Sequence, residues 1–548
     1  MSLAVLYSCA LMGMSAPRVC VEVHLSAGLP NMTIVGLPDA GVRESRERVR
    51  SAIDTSGYEF SPGRFTVNLS PTALPKESGR FDLPIALGVL LATGQVRISA
   101  ERLASLEHTF FIGELSLTGV LIPVQAPLII GLSIYRQYPD AVLVMPYEDA
   151  QVAARIEGLK VIGVRTLQDA VSFLRDEQSV QAMSTQNFSA DSQLVDTRNA
   201  GRTHETGKNP QIEQNPQAGQ IQQVGNSPIC SHQDAESLCL SDIRGQVEAC
   251  NILEVVASGG HGLLLSGSPG VGKSMLANRL PTLLPKLSTQ HALEVMALQS
   301  ISRQNLSHTD LPFSQAVPFR APHHSASMVA LVGGGPNASP GEISMAHHGV
   351  LFLDELPEFD RRALEALREP LERGEIVVTR AKRSQVYPAR FQLIAAHNPC
   401  PCGYLGHPDK PCVCTPDAIH RYQNKLSGPL LDRIDVHWHV RPVEKDWIRQ
   451  APAESSAQVR ARVIACRERQ YARQGCLNAH LSESQISEYC VLAPAIQQLL
   501  ENSIARFAWS ARVTHRVLKV ARTIADMHEH EQITEQDFLQ AVACRPER

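Results

Sequence analysis

No stretch of this 548-residue sequence stays apolar for the ~18 residues that a membrane-spanning helix needs. The longest candidate begins at Leu83 and breaks at Gly94. A secretory leader is not expected either. The apolar N-terminus has no basic segment ahead of it, since the first Arg or Lys is Arg18. Val19, Val21 and Val23 then alternate as a strand does, so an opening β-hairpin is expected. There is no excess of positive charge: 51 Lys and Arg face 55 Asp and Glu, a formal net charge of −4. That excludes a broad basic surface coating duplex DNA and confines any nucleic-acid site to a local patch, such as a pore inside a ring. Thirteen cysteines are too sparse for a disulfide scaffold. Solenoid-period repeats are absent. A cytoplasmic protein without membrane partners is expected.

Composition divides what is there. Residues 1–175 alternate apolar strands with short helical stretches. Residues 176–239 are rich in Gln, Asn, Ser and Gly and poor in large apolar side chains, as a flexible linker is. Residues 240–442 are strand-rich and Gly-rich, and 443–548 read as helical. In that last part Val513, Val517, Val520 and Ile524 form one apolar stripe, and Thr534 with Asp537 forms a helix cap.

Gly267-Ser268-Pro269-Gly270-Val271-Gly272-Lys273-Ser274 follows an apolar strand and opens a helix. That is the context in which glycine backbone N–H groups and a helix N-terminus close on phosphates, with Lys273 on the β- and γ-phosphates and Ser274 on Mg²⁺. About 80 residues later, Gly349-Val350-Leu351-Phe352-Leu353 ends in Asp354 and Glu355. Asp354 suits the Mg²⁺ shell and Glu355 the polarisation of the attacking water. A third apolar strand ends at His397-Asn398, where Asn398 can orient that water, or simply start the turn before Pro399. These signals together predict an ATP hydrolase. Just beyond, Cys400-x-Cys402 and Cys412-x-Cys414 are separated by nine residues on a turn-rich loop. Two such pairs can converge on a structural Zn²⁺, with His407 as a substitute ligand; reduced thiols and a redox switch are the alternatives.

The sequence resembles the magnesium-chelatase-like AAA+ proteins of the YifB/ComM type. The likeness rests on residues 266–274, 319–326 (FRAPHHSA) and 341–359 (GEISMAHHGVLFLDELPEF), and on 33–39 (TIVGLPD), 44–49 (ESRERV) and 67–83 (VNLSPTALPKESGRFDL). It implies an α/β protein: an N-terminal Lon-protease-like α+β domain, a flexible linker, an AAA+ P-loop core and a helical C-terminal lid. It implies a homohexameric ring that moves on single-stranded and branched DNA. Branch migration during DNA integration in natural transformation is the expected role, with recombination proteins as further candidate partners. A chelatase-like ATPase that remodels a partner protein is the alternative. Arg80 and Ile130 stand where a Lon protease would carry its Ser and Lys, so proteolysis is not expected. Arg433 matches an arginine finger for a neighbour's γ-phosphate, with a local ion pair to Asp432 or Asp435 as the alternative. Arg512 matches the sensor-2 arginine; Arg516, Lys519 and Arg522 on the same helix leave a solvated polar face as the alternative. Glu375 to Tyr387 resembles a pore hairpin, with Arg380, Lys382 and Arg383 at its tip to track DNA phosphates; a plain solvated hairpin is the other reading. Gly333, Gly334 and Gly335 are expected to form a second mobile channel loop.

Overall fold

The computed structural model describes residues 3–176 (Pro38 and Glu77 excepted), 182–183, 238–302, 313–335, 338–380, 383–443 and 447–545. Nearly all of the expected linker, and Lys382, lie outside the described residues.

The N-terminal region is built on an eight-stranded mixed sheet. The expected hairpin is present: Leu3–Cys9 pairs antiparallel with Arg18–Ser26, with Cys9 opposite Arg18. Arg18–Ser26 alternates buried Val19, Val21 and Val23 with less buried residues, the pattern of a sheet with one covered face. The covering helix, Asp82–Ala92, is the apolar run noted above. It is buried on nearly all sides, which makes it a core helix of 11 residues, too short for a membrane span.

The second region holds a five-stranded parallel sheet in the order Phe319–Arg320, Val350–Leu353, Gln392–His397, Leu263–Ser266, Val436–His439. Strands buried on both faces read as continuous apolar runs, and Leu263-Leu264-Leu265 and Val350 to Leu353 do so. The C-terminal helices Ser456–Gln474, Ala511–Met527 and Glu535–Ala543 pack on this sheet's helices and share one core with them. The stripe Val513, Val517, Val520 and Ile524 is buried there, and Thr534 and Asp537 form a reciprocal capping box.

The polar side of Ala511–Met527 is solvated only at its start, where Arg512 is exposed. Lys519 and Arg522 are buried, and Arg516 donates to Asp435 at 2.7 Å. Arg522 donates to the carbonyls of His530 and Glu531 and to Asp526. A helix enclosed by its neighbours turns its cations inward when carbonyls and carboxylates are there to receive them.

The two regions share a core. Leu293, Met296 and Ala297 on helix Thr289–Ser302 pack among Ile129, Ile130 and Leu159 of the N-terminal region. Arg136 on helix Pro127–Gln137 bonds Glu294 on the same surface. Among the described residues, no helix is long and apolar enough to cross a membrane.

Candidate active site

Parallel strands gather the phosphate-site residues at one edge of the sheet. The turn after Leu263–Ser266 leads through Gly270 (φ 80°) and Gly272 (φ 96°) into helix Lys273–Leu283. A side chain at either position would force a strained left-handed backbone. Lys273 is buried, and its Nζ donates to Gly267 O at 2.7 Å, Ser268 O at 3.0 Å and Asn398 Oδ1 at 3.0 Å. Burial lowers its pKa from the ordinary lysine value, against the opposing pull of Asp354 and Glu355. Ser274 Oγ donates to Asp354 Oδ2 at 2.6 Å, so the hydroxyl and carboxylate expected around Mg²⁺ touch one another. Asp354 Oδ1 in turn accepts the Glu355 N–H at 2.9 Å.

Glu355 has φ 51° and ψ 46°, a left-handed conformation that costs a non-glycine residue roughly 1–3 kcal/mol. It turns the carboxylate out of the strand end into the cavity. That cavity, about 340 Å³, is lined by Pro269, Gly270, Gly272, Lys273, Ser274, Met275, Asp354, Glu355, His397 and Asn398. A neighbouring cavity of about 470 Å³ shares Glu355 and Asn398 with it. The structure thus brings Gly270, Gly272, Lys273, Ser274, Asp354, Glu355 and Asn398 together. Asn398 presents Oδ1 to an ammonium that can only donate, which leaves its Nδ2 as a donor for the cavity.

One partner of Glu355 escaped the sequence reading. His324 Nδ1 lies 3.0 Å from Glu355 Oε2. It belongs to the FRAPHHSA block, just past strand Phe319–Arg320, but no spacing rule points from it to residue 355.

Arg433 and Arg512 lie elsewhere. They line a cavity of about 1010 Å³ together with Gly262, Gln392 and Asp435, residues at the starts of the parallel strands. The phosphate cavity is at the strand ends. Four residues of strand at ~3.3 Å each put about 13 Å between the two edges. Arg433 pairs with Glu372 at 2.6 Å, and Arg512 reaches the same Glu372 oxygen at 3.2 Å. Asp435 is engaged by Arg516, His261 and the Gly262 N–H, and these hold its carboxyl well below the usual range despite burial.

The four thiols converge. Cys400 Sγ lies 3.4 Å from Cys402 Sγ and 3.6 Å from Cys412 Sγ, and Cys402 Sγ lies 3.6 Å from Cys412 Sγ. Cys402 N–H points to Cys414 Sγ at 3.4 Å. Tetrahedral Zn²⁺ with ~2.3 Å bonds separates its sulfurs by about 3.8 Å, so this set fits the ion and is far from disulfide contact. Backbone N–H groups of Tyr404 and Val413 pull the Cys402 thiol down, while its thiol neighbours push Cys412 and Cys414 up, as in a cluster that shares its protons. His407 does not join the cluster: its Nδ1 accepts the N–H groups of Asp409 and Lys410. The loop leans on the phosphate turn, since a Cβ on Gly403 would sit 2.5 Å from Pro269 Cδ.

Glu375–Arg380 and Arg383–Pro388 form the expected hairpin, in register Arg380 opposite Arg383. Arg380, Arg383 and Ser384, expected at the tip, are paired strand residues, and Ala381 and Lys382 lie outside the described residues. Ile376, Val378 and Tyr387 anchor its base in the core. The glycine stretch differs from expectation. Gly333–Gly334 is buried and pairs with Ser339–Pro340, and a Cβ on Gly333 would lie 2.5 Å from Ser339 O. Close packing, rather than loop mobility, requires glycine at Gly333.

Comparison with known proteins agrees with this architecture. The magnesium chelatase subunit ChlI family matches residues 239–448, its C-terminal family matches 453–545, and a second ChlI family matches 21–149. The uncharacterized protein YifB of Escherichia coli is 42% identical over 100% of this chain and 97% of its own length. Competence protein ComM of Haemophilus influenzae is 40% identical over 100% of this chain and 98% of its own. The magnesium-chelatase subunit ChlI of Pyropia yezoensis is 24% identical over 43% of this chain and 65% of its own. A P-loop, an acidic strand end and a polar strand end on one parallel sheet, matched over the whole chain, make this protein a member of the YifB/ComM-type, magnesium-chelatase-like AAA+ ATPase family.

Proposed function

We propose that the chain is one subunit of a cytoplasmic homohexameric DNA motor that uses ATP hydrolysis to drive branch migration. The observation that carries this reading is the split between the two edges of the sheet. Lys273, Ser274, Asp354, Glu355 and Asn398 face one cavity, and Arg433 and Arg512 face another. Arginines that line the opposite edge, about 13 Å of strand away, face away from their own chain's phosphate cavity. They can reach that of a second copy, so hydrolysis depends on assembly.

Within each site, Lys273 exchanges its carbonyl contacts for the phosphates, and the glycine turn wraps them. Ser274 and Asp354 would hold Mg²⁺, which would supply positive charge to offset that of the phosphates. Glu355 takes the water's proton as Asn398 Nδ2 fixes the water's position, and the neighbour's arginines meet the charge that develops on the leaving group. Cys400, Cys402, Cys412 and Cys414 would hold a Zn²⁺ that cross-links their loop, which packs on Pro269 through Gly403. The N-terminal region is a non-proteolytic, Lon-like module; Arg80 and Ile130 are both buried and offer no nucleophile or base there.

The basic hairpin supports DNA as the substrate, with Arg380, Lys382 and Arg383 tracking phosphates. The competence name of the Haemophilus relative supports a role with incoming DNA. The test is ATPase turnover with and without single-stranded and branched DNA, in wild type and in Lys382→Ala with Arg383→Ala. DNA should stimulate the wild type. The double variant should not respond to DNA, and its log–log salt dependence should flatten by up to about 0.9 for each phosphate it no longer neutralises. Unwinding of branched DNA by the double variant at the wild-type rate would move the grip to the N-terminal region. Turnover indifferent to every DNA would favour a chelatase-like remodeller.

A further inference from the structure

One carboxylate oxygen joins the two arginines at the amino edge of the sheet. Glu372 Oε1 lies 2.6 Å from Arg433 and 3.2 Å from Arg512. Two guanidinium groups this close repel one another unless an anion sits between them. The carboxylate supplies that anion but does not satisfy the Arg433 fork. One arm of Arg433 donates to Pro429 O at 2.6 Å, one meets Glu372, and Nε is buried with no hydrogen-bond partner. An arginine fork is shaped for two or more oxygens of one oxyanion. The surrounding cavity of about 1010 Å³, which Arg390 also lines, has room for an anion larger than a carboxylate.

We propose, on the basis of the trans-acting arginines above, that Glu372 is a stand-in for the terminal phosphate of the nucleoside triphosphate held by the neighbouring copy. It neutralises Arg433 and Arg512 while that neighbour is empty, and the phosphate displaces it. The chain then carries the displacement to the hairpin. Glu372 lies in the last turn of helix Arg368–Arg373. Gly374, with φ 72°, ends that helix, and Glu375 opens the hairpin strand. The returning strand is tied to the same point, because the Ala389 N–H donates to Gly374 O at 2.8 Å. Both legs of the hairpin are thus anchored within three residues of Glu372, which makes it a positioning residue linking a neighbour's nucleotide to the DNA grip.

The experiment measures steady-state ATPase of full-length wild type, Glu372→Gln, Glu372→Asp and Arg433→Ala, with and without single-stranded DNA. Glu372→Gln is isosteric, and Glu372 is half-exposed, so the fold should be unaffected. Its DNA-free turnover should rise about 2- to 5-fold, the span over which an exposed ion pair acts, and the ratio of DNA-stimulated to DNA-free turnover should fall by a similar factor. Glu372→Asp should stay near wild type. A fall in Glu372→Gln turnover, or an unchanged stimulation ratio, overturns the stand-in. Arg433→Ala separates the two levels. If it is inactive while Glu372→Gln behaves as wild type, only the stand-in fails. If Arg433→Ala keeps wild-type turnover, the trans arginines fail, and the stand-in with them.

Discussion

Mixing two inactive variants tests the two-edged geometry. Lys273→Ala removes the ammonium proposed to meet the phosphates, and Arg433→Ala removes a guanidinium at the other edge of the sheet, about 13 Å of strand away. In a closed ring each site takes Lys273 from one subunit and Arg433 from the next. A ring of either variant alone contains no complete site, and loss of the finger is expected to lower turnover by about 10³-fold or more. At equal mixing with random assembly, about a quarter of the interfaces join an intact Lys273 to an intact Arg433, so turnover should recover to about 25% of wild type. Across mole fraction x the recovery follows x(1−x), highest at equal proportions and absent at both ends. The same series with Arg512→Ala in place of Arg433→Ala should trace the same curve, because both arginines line one cavity and share Glu372. The assay is phosphate release at fixed total protein, with ring size followed by size exclusion. Absence of recovery at every ratio, with rings intact, would place the arginines in cis and refute the separation. Recovery with Arg433→Ala but not with Arg512→Ala would remove Arg512 from the shared site.

Glu355→Gln should bind ATP normally and lose turnover about 10²- to 10⁴-fold, the contribution of a positioned base, whereas His324→Ala, which removes the imidazole 3.0 Å from that carboxylate, should cost up to about 5-fold; nucleotide fluorescence and phosphate release separate the two effects. Purified protein should carry about one zinc per chain by metal analysis, and Cys402→Ser should lower both zinc content and Tm while Cys544→Ser, at a buried thiol far along the chain, leaves the zinc unchanged. Asp435 is held below the ordinary carboxyl range by Arg516 and His261, so its stabilisation is complete above the unfolded-state pKa of ~3.9 and is lost as pH falls below it. Asp435→Asn should therefore lower stability at neutral pH by about 3–5 kcal/mol, the usual result of removing one member of a buried pair, and flatten the acid limb of a denaturation series; an unchanged acid limb would show that other carboxylates set it.

What the sequence made legible was local or periodic. The glycine-rich turn is written in consecutive residues, and the strands leading to Lys273, Asp354 and Asn398 are apolar runs between glycine and turn signals. Parallel pairing of Leu263–Ser266 with Gln392–His397 then brings Lys273 and Asn398 together with no further information. The cysteine cluster was legible for the same reason: a fifteen-residue loop with two close pairs leaves little freedom in where its sulfurs meet.

The partnerships that assemble or regulate the site were not legible, because they join residues far apart in sequence whose types are common on any surface. Nothing marks Glu372 as the carboxylate between Arg433 and Arg512, or His324 as the partner of Glu355. The helix Ala511–Met527 shows the limit most clearly. Its cations fall on one face, a pattern that ordinarily means solvent, yet Lys519 donates to the Ala479 carbonyl at 3.1 Å and is pushed down to about 8 by burial. A buried cation is tolerable only with its acceptors in place, and those of Lys519 and Arg516 come from turns far away in sequence. Asp435, which receives Arg516, sits two residues after Arg433 and one before strand Val436–His439. The ion pair between Arg516 and Asp435 thus joins the helix Ala511–Met527 to the chain two residues after Arg433, a contact that no spacing in the sequence announces.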